Sequence, residues 1–148
     1  MNLKTKKILL IIGGGIAAYK SLDLIRILKK NGFIIKSILT KSGKEFVTPL
    51  SVASLTNDKP YEDIFDVNNE SKIDHISLSR WADLILVVPT TANLMTKLAS
   101  GKAEDLATTV MLASNKEIVL APAMNIRMWL HRATQENVRL LLDYGYKF

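Results

Sequence analysis

Residues Ile8-Leu9-Leu10-Ile11-Ile12 are five consecutive aliphatic side chains, closed at once by Gly13-Gly14-Gly15. Successive side chains of a strand point to opposite faces, so such a run needs cover on both sides, as in a parallel sheet between helix layers. After the glycines the apolar period changes to that of a helix. Ile16, Tyr19, Leu22, Ile25 and Leu28 are expected on one face, with Lys29 and Lys30 in the last turn and Gly32 as the C-terminal cap. The chain therefore begins as a strand, a tight turn and a helix.

The same alternation continues. Residues 33–39 read as a second strand with Thr40-Lys41-Ser42-Gly43 as its exit loop, and residues 45–55 as mainly helical, with Pro49 opening a new turn. Residues 57–71 are polar except for Ile64-Phe65 and read as loop and edge structure. A third strand at 84–88 ends at Pro89, and helices at 93–100 and 105–113 follow, separated by Gly101. A strand at 118–121 and a helix at 134–144, capped by Gly145, complete the pattern, and residues 145–148 read as the start of another strand, as if the chain were cut there. Strands alternating with helices predict an α/β fold with a Rossmann-like, doubly wound parallel sheet, whose ligands sit at the carboxyl ends of the strands. With 148 residues the chain suits one domain, residues 1–148.

Composition removes several classes of chemistry. No cysteine is present, which excludes disulfides, thiolate nucleophiles and cysteine-based metal sites, and the two histidines, His75 and His131, lack metal-ligand spacing. No metal is expected. The formal charge of +6 comes from scattered lysines with no basic stripe, so neither nucleic acid nor a membrane surface is expected as a partner. No apolar run is long enough to span a bilayer, and the first one leads into glycines and an amphipathic helix, so a cytoplasmic location is expected.

Three loops fall at predicted strand exits. Gly13-x-Gly15-x-x-Ala18 meets a relaxed dinucleotide fingerprint, in which glycines admit a phosphate to the start of a helix. An NAD site also wants an acid at the end of the second strand; that place holds Thr40-Lys41-Ser42. Hydroxyls and a cation suit a phosphate better, so a mononucleotide held between the two loops uses both features. Lys41 keeps an NADP-dependent oxidoreductase open, and Thr40 and Ser42 equally fit ordinary turn chemistry. The third loop is Pro89-Thr90-Thr91-Ala92-Asn93-Leu94, where Thr91 or Asn93 also fits as a helix cap.

Pro122-Ala123-Met124-Asn125-Ile126-Arg127-Met128-Trp129 follows the last strand. A carboxamide among apolar residues suits a grip on a polar ligand, and it equally suits a cap for the next helix. The segment resembles, at every fixed position, the Pro-x-Met-Asn-x-x-Met-Trp motif of the homo-oligomeric flavin-containing cysteine decarboxylases. That family includes phosphopantothenoylcysteine decarboxylase and the peptidyl-cysteine decarboxylases. Gly14 to Lys20 and Ala133-Thr134-Gln135-Glu136-Asn137 are most similar to the bacterial protein that joins the decarboxylase to a phosphopantothenate–cysteine ligase.

The resemblance implies a flavoprotein fold and FMN held by Gly14, Gly15, Ile16, Thr40, Ser42, Thr91, Ala92 and Asn93. Two positions depart from the family: Gly13 replaces a common serine, which implies weaker FMN binding with backbone N–H as substitute, and Leu94 replaces a threonine and is retained only as a backbone contact. His75 stands in the family's His-Ile-x-Leu-x-x-Trp-Ala-Asp setting and is implied to be the catalytic base, although beside Asp74 it also reads as a surface histidine. Asn125, Met128 and Ala123 are implied to hold the substrate, with Arg127 facing solvent and His131 structural. The implied reaction is FMN-dependent oxidation and decarboxylation of 4'-phosphopantothenoylcysteine toward phosphopantetheine in coenzyme A synthesis. A peptidyl-cysteine decarboxylase, or a flavin-binding assembly or regulatory module without turnover, remains open. A trimer or dodecamer is implied as the assembly. Relatives carry a cysteine in a flap that donates a proton in the final reduction, and these 148 residues contain none.

Overall fold

A computed structural model describes residues 6–65 and 74–148. The expected strand β1 is Lys7–Ile12, and Ile8 to Ile12 are buried on both faces. Helix α1, Ala18–Lys30, returns to β2 at Ile34–Leu39. A 3-10 turn at Gly43–Glu45 and helix α2 at Pro49–Thr56 follow. Then come α3 (His75–Trp81), β3 (Leu84–Thr90), α4 (Ala92–Ala99), α5 (Leu106–Ala113), β4 (Glu117–Pro122), α6 (Ile126–Leu130) and α7 (Arg132–Asp143). The four strands are parallel in the order β2-β1-β3-β4, which is the doubly wound arrangement.

Alternate residues of β1 feed two cores. Leu9 and Ile11 pack with Leu78 of α3, Leu98 of α4, Val110 of α5 and Leu141 of α7. Leu10 and Ile12 pack with Ala18 and Ile25 of α1 and Val52 of α2. Each such aliphatic side chain taken from water contributes about 1.5–3 kcal/mol, so both sheet faces drive the fold. Lys147 forms a parallel bridge to Val119, in keeping with the strand start read at 145–148.

Pro49 opens α2 as expected, with the Thr48 hydroxyl accepting the Ser51 N–H, and only a 3-10 turn precedes it. Other expectations change. Strand β3 runs through Pro89 to Thr90, past its predicted end. Residues 75–81, to which the sequence reading assigns no helix, form α3. On α1 the apolar face is only partly buried: Ile25 is fully covered, whereas Ile16 is 80% and Tyr19 54% exposed. Ile16 lies in the turn before α1 and Tyr19 in its first turn, just after the carboxyl end of β1. Of the predicted loop at 57–71, Tyr61 bridges to Ile38 as edge structure, while residues 66–71 lie outside the described residues.

Candidate functional site

The exits of β1, β2 and β3 meet around a cavity of about 300 Å³ lined by Gly14, Thr40, Lys41, Ser42, Thr91 and Asn93, among others. Five of the eight residues assigned to FMN from the resemblance, Gly14, Thr40, Ser42, Thr91 and Asn93, are therefore brought together. The approach of the first two loops depends on glycine, since a Cβ at Gly14 would lie 2.4 Å from the Ser42 Cβ. Gly15 has φ +144°, a conformation open to glycine, and a Cβ there would meet nothing within 4 Å.

Helix starts supply the polar character. Side chains cap α2 (Thr48), α3 (Asp74), α4 (Thr91), α5 (Asp105), α6 (Asn125) and α7 (His131). Helix α1, which rises from the glycine loop, has no side-chain cap. The Ala18 and Lys20 N–H groups donate to the Gly15 and Ala17 carbonyls at 3.0 Å, so what this start offers an anion is chiefly a favourable dipole. The close-set glycine loop, the uncapped 13-residue helix and the neighbouring hydroxyls fit the phosphate of a mononucleotide.

The hydroxyls divide by role. The Thr40 hydroxyl donates to the Ile12 carbonyl at 3.0 Å and accepts the Gly43 N–H at 3.0 Å, so it shapes the turn. The Ser42 side chain is exposed and makes no cap bond, leaving its hydroxyl for a ligand. The Thr91 hydroxyl accepts the Leu94 N–H at 3.1 Å and retains its own proton as donor. The Leu94 N–H is taken by this cap, although Leu94 lines the cavity, and the Gly13 N–H turns inward to the Pro89 carbonyl at 3.2 Å. Ile16 and Ala92 flank the cavity at the starts of α1 and α4 without lining it.

The exit of β4 is tied to the exit of β3, with the Ala123 N–H donating to the Thr90 carbonyl at 3.1 Å. Asn125 is exposed and its carbonyl oxygen accepts the Arg127 N–H at 2.8 Å; the amide nitrogen is left to face a ligand. Met128 is half exposed, Arg127 is exposed, and the Nδ1 of His131 caps α7 by accepting the Ala133 N–H at 3.1 Å, a structural role. His75 opens α3. Helix α3 leads into the amino end of β3, so His75 is the residue of α3 farthest along the chain from that strand. Asp74 caps α3 through the Ser77 N–H at 2.7 Å, and these bonds hold its carboxyl below the usual carboxylate range.

The sequence profile of the family described as Flavoprotein matches residues 1–148. The chain belongs to the Flavoprotein family. It is 42% identical over 145 residues to the coenzyme A biosynthesis bifunctional protein CoaBC of Vibrio cholerae, covering 98% of this chain and 36% of that one. It thus spans about a third of the length of the curated relatives it matches. Among solved structures, the FMN-dependent cysteine decarboxylase SpaF superposes with TM-score 0.88 at 29% identity, covering 97% of this chain and 82% of SpaF. A mutant PPC decarboxylase complexed with pantothenoylaminoethenethiol superposes with TM-score 0.81 at 27% identity, covering 97% and 81%. The cofactor of this family is a flavin, which disfavours the NADP reading left open by Lys41.

In this flavoprotein the sequence reading missed the far wall of the cavity. Lys97, Glu104 and Asp105 line it: Lys97 bonds Glu104 at 2.8 Å and Asp105 at 3.4 Å, and Lys102 bonds Glu104 at 3.1 Å. The bond to Glu104 raises the Lys97 pKa, and the lysines lower that of Glu104. Pairing quiets the carboxylates near an anion site and leaves Lys41 exposed at the rim. The spacing of Asn93 and Lys97, one helical turn apart, was the available signal. A larger cavity of about 480 Å³, between the carboxyl ends of α4 and α5 and Tyr146, contains none of the predicted site residues.

Proposed function

We propose that this flavoprotein binds FMN and decarboxylates 4'-phosphopantothenoylcysteine in coenzyme A synthesis. The observation that carries the reading is the convergence of Gly14, Ser42, Thr91 and Asn93 on one cavity, beside the loop bearing Asn125. The 42% identity to CoaBC, against 28% to the peptidyl-cysteine decarboxylase EpiD, favours the pantothenate derivative over a peptide.

FMN held by these residues would supply the hydride acceptor for oxidation of the cysteinyl side chain, after which the adjacent carboxylate could leave as carbon dioxide. Gly14, Gly15 and Ile16 with Ser42 hold the phosphate through the start of α1, while Thr40 fixes the turn beside them. Thr91, Ala92 and Asn93 contact the ring system. His75 takes the thiol proton, for which a neutral imidazole is suited near neutral pH. Asn125, with Ala123 and Met128, orients the substrate carboxylate and amide through N–H donors. A neutral carboxamide serves better here than a cation, which would stabilise the carboxylate that must leave.

The proposed setting is cytoplasmic, with a homo-oligomer, trimer or dodecamer, covering the exposed ring site. No helix among the described residues is long and apolar enough to cross a membrane. The alternative is a flavin-binding module without turnover. The experiment is a flavin absorption spectrum followed by incubation with substrate. Yellow protein that releases carbon dioxide and accumulates the enethiol, two hydrogens lighter than phosphopantetheine, is the expected result. Colourless protein sinks the proposal, and yellow protein that releases no carbon dioxide leaves the binding module.

A further inference from the structure

The β3–β4 ladder changes register just before the cofactor loop: Val87 pairs with Leu120, but Thr90 pairs with Pro122. Three steps along β3 match two along β4, so β3 carries one extra residue, a bulge of the kind that re-aims side chains beside ligand sites. Buried carbonyls at such an irregularity need donors. Two hydroxyls with no solvent exposure supply them. The Thr90 hydroxyl donates to the Val87 carbonyl at 2.7 Å, and the Ser21 hydroxyl, from α1, donates to the Val88 carbonyl at 2.5 Å. The backbone of the bulge is tied on both sides, to Gly13 through the Pro89 carbonyl and to Ala123 through the Thr90 carbonyl.

We propose that Ser21 and Thr90 are positioning residues, whose hydroxyls lock the β3 bulge and so set where Thr91 and Asn93 stand against the glycine loop. The inference rests on the FMN reading for its consequence and on the bulge for its geometry. Ser21 joins the helix that rises from the phosphate loop to the strand that ends in the ring-binding loop. Without either donor, a buried carbonyl is left unsatisfied or the extra residue shifts to find a partner. Either outcome moves Thr91 relative to Gly14.

The test uses Thr90→Val, which keeps the shape and removes the donor, Thr90→Ser, which restores it, and Ser21→Ala. Dissociation constants come from quenching of FMN fluorescence, and amide hydrogen exchange is followed at Leu94 and Ala123 in flavin-free protein. Thr90→Val and Ser21→Ala are expected to weaken FMN binding about tenfold and to speed exchange at both amides, with Thr90→Ser close to the unaltered chain. A lower melting temperature with FMN affinity and both amides unchanged overturns the proposal, since that is the signature of packing alone. Ser21→Ala decides the matter independently if Thr90→Val does not fold. Failure of the unaltered chain to bind FMN overturns the proposed function instead, and the exchange rates then still decide whether the hydroxyls lock the bulge.

Discussion

Asn125 accepts the Arg127 N–H at 2.8 Å, so an aspartate in its place can cap α6 equally well while bringing a charge to the substrate loop. Asn125→Asp is therefore expected to leave folding and FMN binding intact and to cut turnover at least tenfold by repelling the substrate carboxylate. Calorimetry for the fold and carbon dioxide release for the reaction separate the two effects. His75 is the first residue of α3, and the cap itself belongs to Asp74. His75→Asn should keep the yellow colour and lose roughly 10²-fold or more in decarboxylation; turnover at the original rate removes the imidazole from the mechanism. Thr40 illustrates what residue type alone leaves open. Its place at a strand exit suits both a phosphate contact and a turn, and only the position of the Ile12 carbonyl, 28 residues upstream, shows where its hydroxyl goes.

Elements of this fold are joined by a few charged caps with a definite pH signature. One oxygen of Asp83, in the turn before β3, accepts the backbone N–H groups of Lys6 and Lys7 at 3.0 and 2.9 Å, tying down the start of β1. These bonds hold its carboxyl below the usual value of 3.8. A carboxyl depressed by folding adds stability that is fully present above its unfolded value and is lost as pH falls through its folded value. Asp83→Asn, which does not titrate, should lower the melting temperature at neutral pH and show a shallower decline below about pH 4. Thermal melts across pH 2.5 to 7 check this; parallel curves for the two proteins would mean that Asp83 carries none of the acid sensitivity. The strands were legible because their apolar runs are short, although β3 runs on through Pro89 to Thr90. Helix α3 was not, since seven residues containing four polar side chains show little period before Asp74 is seen to cap Ser77.

At the scale of the molecule, several large apolar side chains remain uncovered outside the two buried cores. Ile16 is 80%, Leu50 76%, Ile126 65% and Leu130 66% exposed, and Ile16 and Ile126 belong to the loops that would hold cofactor and substrate. Apolar surface beside a shallow cavity favours association that covers both. The protein is expected to elute as at least three copies in light scattering, and Ile16→Lys should reduce that mass and weaken flavin retention together. A monomer with undiminished FMN affinity and turnover would show that the exposed residues play no part in the site.

The order and kind of the main elements were determined by the sequence itself, because continuous aliphatic runs demand a sheet covered on both faces and helical periods between them dictate parallel strands. The glycine loop, Ser42, Thr91 and Asn125 could also be singled out there, as residue types that only a few local conformations and ligands suit. What the tertiary structure decided depends on partners distant in sequence. Lys97 became part of the cavity wall through pairing with Glu104 and Asp105, the Gly13 N–H was withdrawn by Pro89, and Ser21 met Val88 across 67 positions of chain. No local pattern encodes those meetings, since a hydrogen bond across the sheet is set by register and bulge, which exist only once the strands have paired.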